Sequence, residues 1–389
     1  MRRRGTKIAL GGSILALLPL LSAPAGAAPQ PLAAHPVHRA CAAPAPGMAH
    51  CDALVRGGTA RSEASLLSAK ATPSGLTPAD IQSLYHLPSS TAGSGQTVAI
   101  VDAYDDPNAE SDLNVYRGQF GLGACTTANG CFKKVNQTGG SALPPADAGW
   151  AEEESLDLDM VSAVCPKCKI VLVESTSASF GNLGTAENTG AKLANVISNS
   201  YGGSGSDAVS GSYYNHPGRA ITASGGEDSF GVPEYPASSH YVTAVGGTSL
   251  RAVAGRTVEV GWGSGACSNN QILAAQVGLG TGCGGRATND VAAIADPNTG
   301  VAVYDTYGGV GGWLVFGGTS TGAPIIAGVY GLAANAASID NNYPYAHPSA
   351  LNDITSGGSG GCTPVILCTA GPGWDGPTGM GTPNGVGAF

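Results

Sequence analysis

Short runs of consecutive apolar residues recur through the middle of the chain. They are compact and rich in β-branched residues, which is typical of strands that are buried on both faces. Polar and apolar residues do not alternate within them, so a half-exposed sheet is a poorer interpretation. The four clearest runs are residues 96–102, 169–174, 195–200 and 220–224.

Helical patterns lie between and after these runs. Thr77-Pro78-Ala79-Asp80 combines an N-cap, a proline at the first helical position and an acid in the first turn, so the folded domain is expected to begin there. Alternating strands and helices predict an α/β fold with a mainly parallel sheet, helices on both faces and ligands at the carboxyl ends of the strands. The other predicted helices begin after an N-cap at Asp106, near Trp150, near Gly184 and at Ser320.

The first residues have the three regions of a secretory signal peptide. A basic start leads into an apolar stretch from Ile8 to Leu21 and then small residues, so we predict a signal peptide over residues 1–27, cleaved near Ala27. Residues 28–76 show no periodicity and are interpreted as a short leader or linker, and residues 77–389 as one catalytic domain. We therefore expect a secreted, extracellular protein with no membrane association after signal removal.

Composition and charge exclude some classes of protein. Only 12% of the 389 residues are charged, while 42% are apolar, which excludes a disordered chain. The net charge is −9, and removal of the four basic residues of the signal peptide (Arg2, Arg3, Arg4 and Lys7) makes it −13. An acidic protein of this kind is not expected to bind nucleic acid.

The chain has 10 cysteines, which in an exported protein indicate disulfides. Pairing by nearest neighbour is our prediction, although the sequence alone permits many others. The spacing of Cys165 and Cys168 would also suit a redox or zinc motif, but there is no second such pair beside it. The predicted pairs are Cys41/Cys51, Cys125/Cys131, Cys165/Cys168, Cys267/Cys283 and Cys362/Cys368.

Ser320 is the candidate nucleophile. It follows Gly317-Gly318-Thr319 and precedes an apolar run, which places it at the N-terminus of a buried helix. Backbone N–H groups and the positive end of the helix dipole at that position would stabilise an oxyanion. A helix cap is the simpler interpretation of this motif taken alone, so a catalytic role requires further residues beside Ser320.

An acidic stretch supplies candidate partners. Glu153 and Asp157 are four residues apart in the helix that begins near Trp150, and they therefore share a face. Two like charges on one face mildly destabilise a helix, so their presence suggests a functional role. A solvated acidic first turn is the alternative when this stretch is considered by itself.

Together these blocks resemble the sedolisin family, the serine-carboxyl peptidases, which have a subtilisin-like fold and use Glu, Asp and Ser. The resemblance extends over residues 77–389. It implies that Glu153 is the general base, Asp157 its partner and Ser320 the nucleophile in hydrolysis of protein or peptide substrates through an acyl-enzyme at acidic pH. It also suggests Asp228 as a protonated donor to the oxyanion, although Glu227 and Phe230 depart from the family's Gly-Asp-Ser-Gly pattern.

The same resemblance implies one Ca²⁺ ion near the C-terminus. Asp353-Ile354 and Gly371-Pro372-Gly373-Trp374-Asp375 are similar to the family's calcium loops. Asp353 and Asp375 would supply carboxylates, and Ile354, Gly371 and Gly373 would supply carbonyl oxygens.

Two other functions stay open from sequence. A subtilisin-type peptidase could use Asp102 at the end of the first strand, but none of the 7 histidines begins the His-Gly-Thr motif that this family requires. A secreted binding protein on a decayed peptidase scaffold is the second alternative, since a fold does not imply a function. For the enzyme we expect a monomer.

Overall fold

An eight-stranded sheet forms the centre of the chain, in a computed structural model that describes Met1 and residues 35–57, 73–226, 230–253 and 255–389. Residues 2–27 of the predicted signal peptide and Asp228 lie outside the described residues. The strands are β1 (Val37–Arg39), β2 (His50–Cys51), β3 (Leu54–Arg56), β4 (Thr97–Ala103), β5 (Phe132–Asn136), β6 (Lys169–Ser175), β7 (Val196–Asn199), β8 (Tyr201–Gly202), β9 (Ala220–Ser224), β10 (Thr243–Val253), β11 (Arg256–Trp262), β12 (Val291–Ile294), β13 (Val301–Asp305), β14 (Gly312–Gly317), β15 (Leu351–Asn352) and β16 (Thr382–Pro383).

The α-helices connect or flank these strands. Short 3₁₀ turns join several of the later elements. The helices are α1 (Pro78–Leu84), α2 (Ala109–Gln119), α3 (Ala148–Val164), α4 (Phe180–Leu193), α5 (Asp207–Ser210), α6 (Thr319–Ala333) and α7 (Tyr343–Ala346).

The central sheet has the order β11-β10-β9-β7-β4-β6-β5, with β12 also paired to β10. All of its pairs are parallel except β10–β11. Parallel strands joined by helices require cover on both faces, which accounts for the uninterrupted apolar runs in the sequence. The expected α/β fold with a mainly parallel sheet is confirmed.

Helices cover the two faces of this sheet. A Cβ at Gly190 of α4 would lie 3.4 Å from Ala99 Cβ, whereas one at Gly331 of α6 would lie 3.4 Å from Val98 Cγ2. Adjacent residues of a strand point to opposite faces, so α4 and α6 lie on opposite sides of β4. Helix α3 packs beside α6, and a Cβ at Gly328 would meet Val164 Cγ1 at 2.7 Å.

The described part of the expected leader is ordered against the rest of the chain. Strands β1 and β3 form an antiparallel sheet in the order β1-β3-β14-β13. Strand β2 pairs separately with β8. The Cys41–Cys51 disulfide closes the loop between β1 and β2.

All ten cysteines lie among the described residues, and they form the five predicted disulfides. Among the described residues, no helix is both long enough and apolar enough to cross a bilayer. One local prediction is wrong. The N-cap of α2 is Asn108 rather than Asp106, because Pro107 and Asn108 form a turn before the helix, and the Asp106 carboxylate accepts the Asn108 N–H within that turn at 2.8 Å.

Candidate active site

Ser320 is the second residue of α6 and is completely buried. The preceding Gly318 has φ 88° and ψ 162°, a conformation that favours glycine. A Cβ at Gly318 would lie 1.9 Å from the carbonyl oxygen of Asp52, so the chain also passes too closely here for any side chain. The two demands together explain why a glycine turn leads into the serine.

Helix α3 brings a carboxylate to that serine. The Ser320 hydroxyl donates to Glu153 Oε2 at 2.9 Å, and the carbonyl oxygen of Ser200 lies 3.2 Å from Ser320 Oγ. Glu153 and Ser320 are both completely buried, which excludes competing solvent at the pair. A hydroxyl and a carboxylate at this distance can exchange a proton directly.

Asp157 lies one helical turn further along the same face of α3. Its Oδ1 accepts a hydrogen bond from the Ser200 hydroxyl at 2.8 Å. Ser200, between β7 and β8, therefore contacts both the serine and the second carboxyl group. The structure thus brings Glu153, Asp157 and Ser320 together.

A third carboxyl group lies behind these two. Asp102, in β4, is completely buried, and the Asp157 carboxyl is the strongest charged influence upon it. Within the described part of the chain, Glu153 Oε1, Asp157 Oδ2 and both Asp102 oxygens have no hydrogen-bond partner. Buried carboxylate oxygens without donors are costly when ionised, so this group of acids retains protons.

The pKa values of the three acids follow from burial and mutual repulsion. Burial, followed by Asp157 and Asp102, raises the pKa of Glu153 well above its usual range, while the Ser320 hydroxyl opposes this. Burial also raises the pKa of Asp157, against the hydrogen bond from Ser200. Two such groups titrate as one unit that holds a proton more strongly than an isolated carboxyl group.

The N-terminus of α6 offers donors to a developing oxyanion. Backbone N–H groups in the first turn of a helix have no acceptor within the helix, and they carry the positive end of its dipole. Ser320 lies in that first turn. Asp228, the sequence-predicted side-chain donor, lies outside the described residues.

The predicted calcium ligands lie on two neighbouring loops. Asp353 Oδ2 accepts from the Gly373 N–H at 3.0 Å, and Asp375 Oδ2 accepts from the Gly371 N–H at 2.9 Å. Burial, with a contribution from Asp353, raises the pKa of Asp375 to about 6, although hydrogen bonds from Gly371 and Thr378 lower it. Two mutually repelling carboxylates on glycine-rich loops have the chemistry of a hard-cation site.

A second group of potential ligands consists of His50, Asp52 and Glu234. His50 Nε2 lies 3.3 Å from Asp52 Oδ1 and 3.5 Å from Glu234 Oε2. Burial lowers the pKa of His50, but hydrogen bonds to the two carboxylates outweigh it and raise the pKa to about 10. In its protonated form the imidazole forms ion pairs with both carboxylates.

Sequence reasoning did not anticipate Ser200, the place of Asp102 behind Asp157, or the contact between Glu153 and the segment that contains Asp52 and Ala53. Asp102 ends an apolar run and Ser200 follows one, and the carboxyl ends of parallel strands are where sites form. That signal could have suggested both residues. No sequence pattern indicates that residues of the leader contact the site.

The mainly parallel, helix-covered sheet places this protein in the subtilisin-like fold class. Its candidate site has a serine-carboxyl arrangement, in which a buried serine at a helix N-terminus hydrogen-bonds to a glutamate on the adjacent helix. The fold matches that of Pseudomonas sedolisin, a serine-carboxyl proteinase solved in complex with pseudo-iodotyrostatin, with a TM-score of 0.66 and 23% identity over 81% of this chain and 96% of that one.

Sequence comparison finds relatives of the same kind. The chain is 28% identical to kumamolisin of Bacillus sp. strain MN-32 over 82% of its length, and 27% identical to sedolisin of Pseudomonas sp. strain 101 over 83%. It spans 64% and 62% of the lengths of these two relatives. No model of a known protein family matches the chain. Over most of its length the chain is therefore similar to members of the sedolisin family.

Proposed function

We propose that this chain is a secreted, monomeric serine-carboxyl endopeptidase that hydrolyses peptide bonds of protein substrates. The observation that carries the proposal is the 2.9 Å hydrogen bond from the Ser320 hydroxyl to Glu153 Oε2 at the N-terminus of α6. All seven histidines lie among the described residues, and none of them hydrogen-bonds to Ser320. The glutamate is thus the base that the geometry supports.

In the proposed mechanism, Glu153 removes the Ser320 proton as Oγ attacks the substrate carbonyl carbon. Amides in the first turn of α6 stabilise the oxyanion, and Asp228 is the proposed additional donor. Glu153 then gives the proton to the leaving amine, and water hydrolyses the Ser320 ester by the reverse route. Asp157, held by Ser200, shares a proton with Glu153 and keeps it oriented.

An acidic working range is part of the proposal. Three buried acids lie together at the site, and burial raises the pKa of each of them. Activity should be highest while the pair of Glu153 and Asp157 keeps one shared proton. It should decline when alkaline pH removes that proton and leaves two adjacent buried charges.

Calcium is proposed for the loops around Asp353 and Asp375, with carbonyl oxygens of Ile354, Gly371 and Gly373 as further ligands. A bound Ca²⁺ ion would neutralise the repulsion between the two carboxylates and join the loops. The ion-specific test is thermal unfolding of Ser320→Ala protein with Ca²⁺ or with a chelator. Calcium should raise the midpoint, Mg²⁺ should raise it less, and Asp375→Asn should abolish the difference. An unchanged midpoint would contradict the calcium site.

Secretion is proposed from the signal-like N-terminus together with five disulfides, which persist in oxidising compartments. Fractionation of an expressing culture would test it. The protein should be found in the medium without residues 1–27, and retention of the full chain inside cells would contradict secretion.

The test of the enzymatic proposal is a pH–rate profile from pH 2 to 9 on an unfolded protein substrate, with Ser320→Ala alongside. An acidic optimum that disappears in the variant is the expected result. A neutral or alkaline optimum would favour a histidine base as in subtilisins, and no turnover by activated protein would favour a binding role.

A further inference from the structure

His50, Asp52 and Glu234 form a compact group of potential metal ligands outside the proposed catalytic residues. Each offers one ligand atom, and these atoms lie within 4.8 Å of one another. His50 is in β2, Asp52 follows that strand, and Glu234 lies between β9 and β10. Imidazole nitrogen and carboxylate oxygen are ligands that Zn²⁺ commonly binds, whereas Ca²⁺ takes about six to eight oxygen ligands.

The distances from His50 to the two acids suit ligands of a shared ion. Nε2 lies 3.3 Å from Asp52 Oδ1 and 3.5 Å from Glu234 Oε2, whereas a charge-assisted hydrogen bond is about 2.7–2.9 Å long. Two ligand atoms of tetrahedral Zn²⁺, each about 2.0–2.1 Å from the ion, are about 3.3–3.4 Å apart. The observed separations are therefore close to an edge of that tetrahedron.

Two glycines leave room for the Glu234 carboxyl group beside His50. Gly202 pairs with His50 across β2 and β8, and a Cβ there would lie 1.7 Å from Glu234 Oε2. A Cβ at Gly226 would lie 2.6 Å from Glu234 Cδ. A side chain at either position would displace the carboxyl group, so the local backbone is shaped to hold it next to the imidazole.

Asp52 directs one carboxylate oxygen at the imidazole while its other oxygen is fixed. Its side chain is completely buried, and Oδ2 accepts the Ser224 hydroxyl at 2.5 Å. Among the residues that the structure describes, none gives Oδ1 a hydrogen bond of good geometry. A hydrogen bond to the second oxygen is the outer contact that orients a ligating carboxylate at metal sites.

The charges of the group also favour a divalent cation. Both acids are almost fully buried, with side-chain exposures of 0% for Asp52 and 2% for Glu234. Two carboxylates and one imidazolium leave one negative charge uncompensated, and an uncompensated buried charge is costly. Two carboxylates, a neutral imidazole and Zn²⁺ together carry no net charge.

A cavity gives an ion access to these ligands. It has a volume of about 270 Å³, and both His50 and Glu234 line it, together with residues 44–48 and Ser204. The His50 side chain keeps an exposed fraction of 11%. The cavity therefore provides an entry path and space for a water molecule as the fourth ligand, which zinc sites with three protein ligands retain.

We propose that His50 Nε2, Asp52 Oδ1 and Glu234 Oε2 bind one Zn²⁺ ion, with water as the fourth ligand. The ion fastens residues 50–52 to the loop between β9 and β10. This site is separate from the proposed calcium loops near the C-terminus. Because its test uses protein without the catalytic serine, the inference does not rest on the proposed peptidase function.

The position of the site relates it to the proposed catalytic residues. Asp52 is followed by Ala53, whose N–H donates to Glu153 Oε2 at 3.0 Å. Leu54 and Val55 then pair with Gly317 and Phe316 of β14. Zinc therefore holds the residues that precede this contact, which should make the segment more resistant to unfolding.

The first experiment is thermal unfolding of the metal-free full chain carrying Ser320→Ala, at pH 7.5, with and without added Zn²⁺. Excess Ca²⁺ in every sample keeps the proposed calcium loops occupied. The midpoint should rise with Zn²⁺ concentration, because the ion binds the folded state, and calorimetric titration should show one Zn²⁺ per chain. An absence of Zn²⁺ binding, or an equal rise with Mg²⁺, would overturn the proposal.

Variants then test the ligands. Loss of an outer contact costs about 10–100-fold in metal affinity, so His50→Gln should weaken Zn²⁺ binding by at least about 100-fold and Ser224→Ala by about 10–100-fold. His240→Gln is the matched control, since His240 Nδ1 pairs with a single carboxylate oxygen, Asp207 Oδ2, at 2.7 Å. It should bind Zn²⁺ as tightly as the reference protein. Equal affinities of the two histidine variants would contradict the site.

A second readout requires no folded variant of His50. Co²⁺ in place of Zn²⁺ should give the intense visible absorption of a tetrahedral ion, and added Zn²⁺ should remove it. The weak absorption of octahedral Co²⁺ would overturn the proposed geometry. Glu234→Gln should abolish the intense bands, and their persistence in that variant would exclude Glu234 as a ligand.

Discussion

The two faces of α3 carry the same kinds of residue in two different settings. One face presents Glu153 and Asp157 to Ser320 and Ser200, with one oxygen of each acid lacking a hydrogen-bond partner among the described residues. On the other face Asp159 accepts the backbone N–H of Tyr304 at 3.0 Å, in β13. Both faces are buried, so burial alone does not distinguish a catalytic carboxyl group from a structural one.

The difference lies in what each acid contacts. Asp159 Oδ2 binds a fixed backbone amide, and its loss would affect folding rather than chemistry. Glu153 Oε2 faces a hydroxyl group, which can gain or lose a proton. The helix thus contacts the backbone of β13 on one face and carries the proposed proton-transfer residues on the other, and substitutions should separate the two roles.

The largest expected effect is on the catalytic face. Glu153→Gln should lower kcat by roughly 10²–10⁴-fold, because an amide cannot accept the Ser320 proton. Glu154→Gln is the matched control, since Glu154 Oε2 instead accepts the Asp106 N–H at 3.1 Å. Steady-state kinetics with far-UV circular dichroism would measure both. Near-normal turnover by the Glu153 variant would remove the acidic pair from the mechanism.

Asp157→Asn should reduce kcat by at least about 10²-fold, because the orienting proton is lost. Since Asp157 helps to raise the pKa of Glu153, its neutralisation should also lower that pKa. The acidic limb of the pH–rate profile should therefore move to lower pH. A profile of unchanged shape would indicate that Asp157 acts only in packing.

On the opposite face, Asp159→Ala should affect stability and leave catalysis alone. It leaves the buried N–H of Tyr304 without an acceptor, at a cost of about 1–3 kcal/mol in the free energy of unfolding. Urea unfolding in the Ser320→Ala background would avoid self-digestion, and kcat would be measured with Ser320 present. A large fall in kcat at unchanged stability would contradict the division between the faces.

Stability should also depend on pH. Burial raises the pKa of Glu152, on the structural face, to about 7, and burial raises that of Glu187 in α4 to about 8. These acids bind protons more strongly when folded, so their stabilisation is complete below about pH 4 and is lost as the pH rises through 7 to 8.

The free energy of unfolding of Ser320→Ala protein should therefore decrease from pH 5 to pH 8, by up to about 1.4 kcal/mol per pH unit for each titrating acid, and the thermal midpoint should decrease with it. Thermal scans at fixed ionic strength would measure it. Glu187→Gln should flatten the slope. A midpoint that rises with pH would contradict these pKa shifts.

The sequence by itself determined the α/β class and the positions of the central strands, and it favoured the five nearest-neighbour disulfides, because these depend on local patterns. Uninterrupted apolar runs require a sheet buried on both faces, and near cysteines close short loops. Gly318 and Ser320 were recognisable because a glycine turn before a buried helix is a local signal. The pair of Glu153 and Asp157 followed from helical spacing.

Only the tertiary structure decided which acids meet the serine. Helix α3 is buried on every side, so its pattern of polar residues does not tell which face contacts α6 and which contacts β13. Asp102 and Ser200 reach the site because parallel strands end at one edge of the sheet. The path of Asp52 and Ala53 across Ser320 depends on pairing with β8 and β14, and such long-range pairing leaves no periodic trace in the sequence.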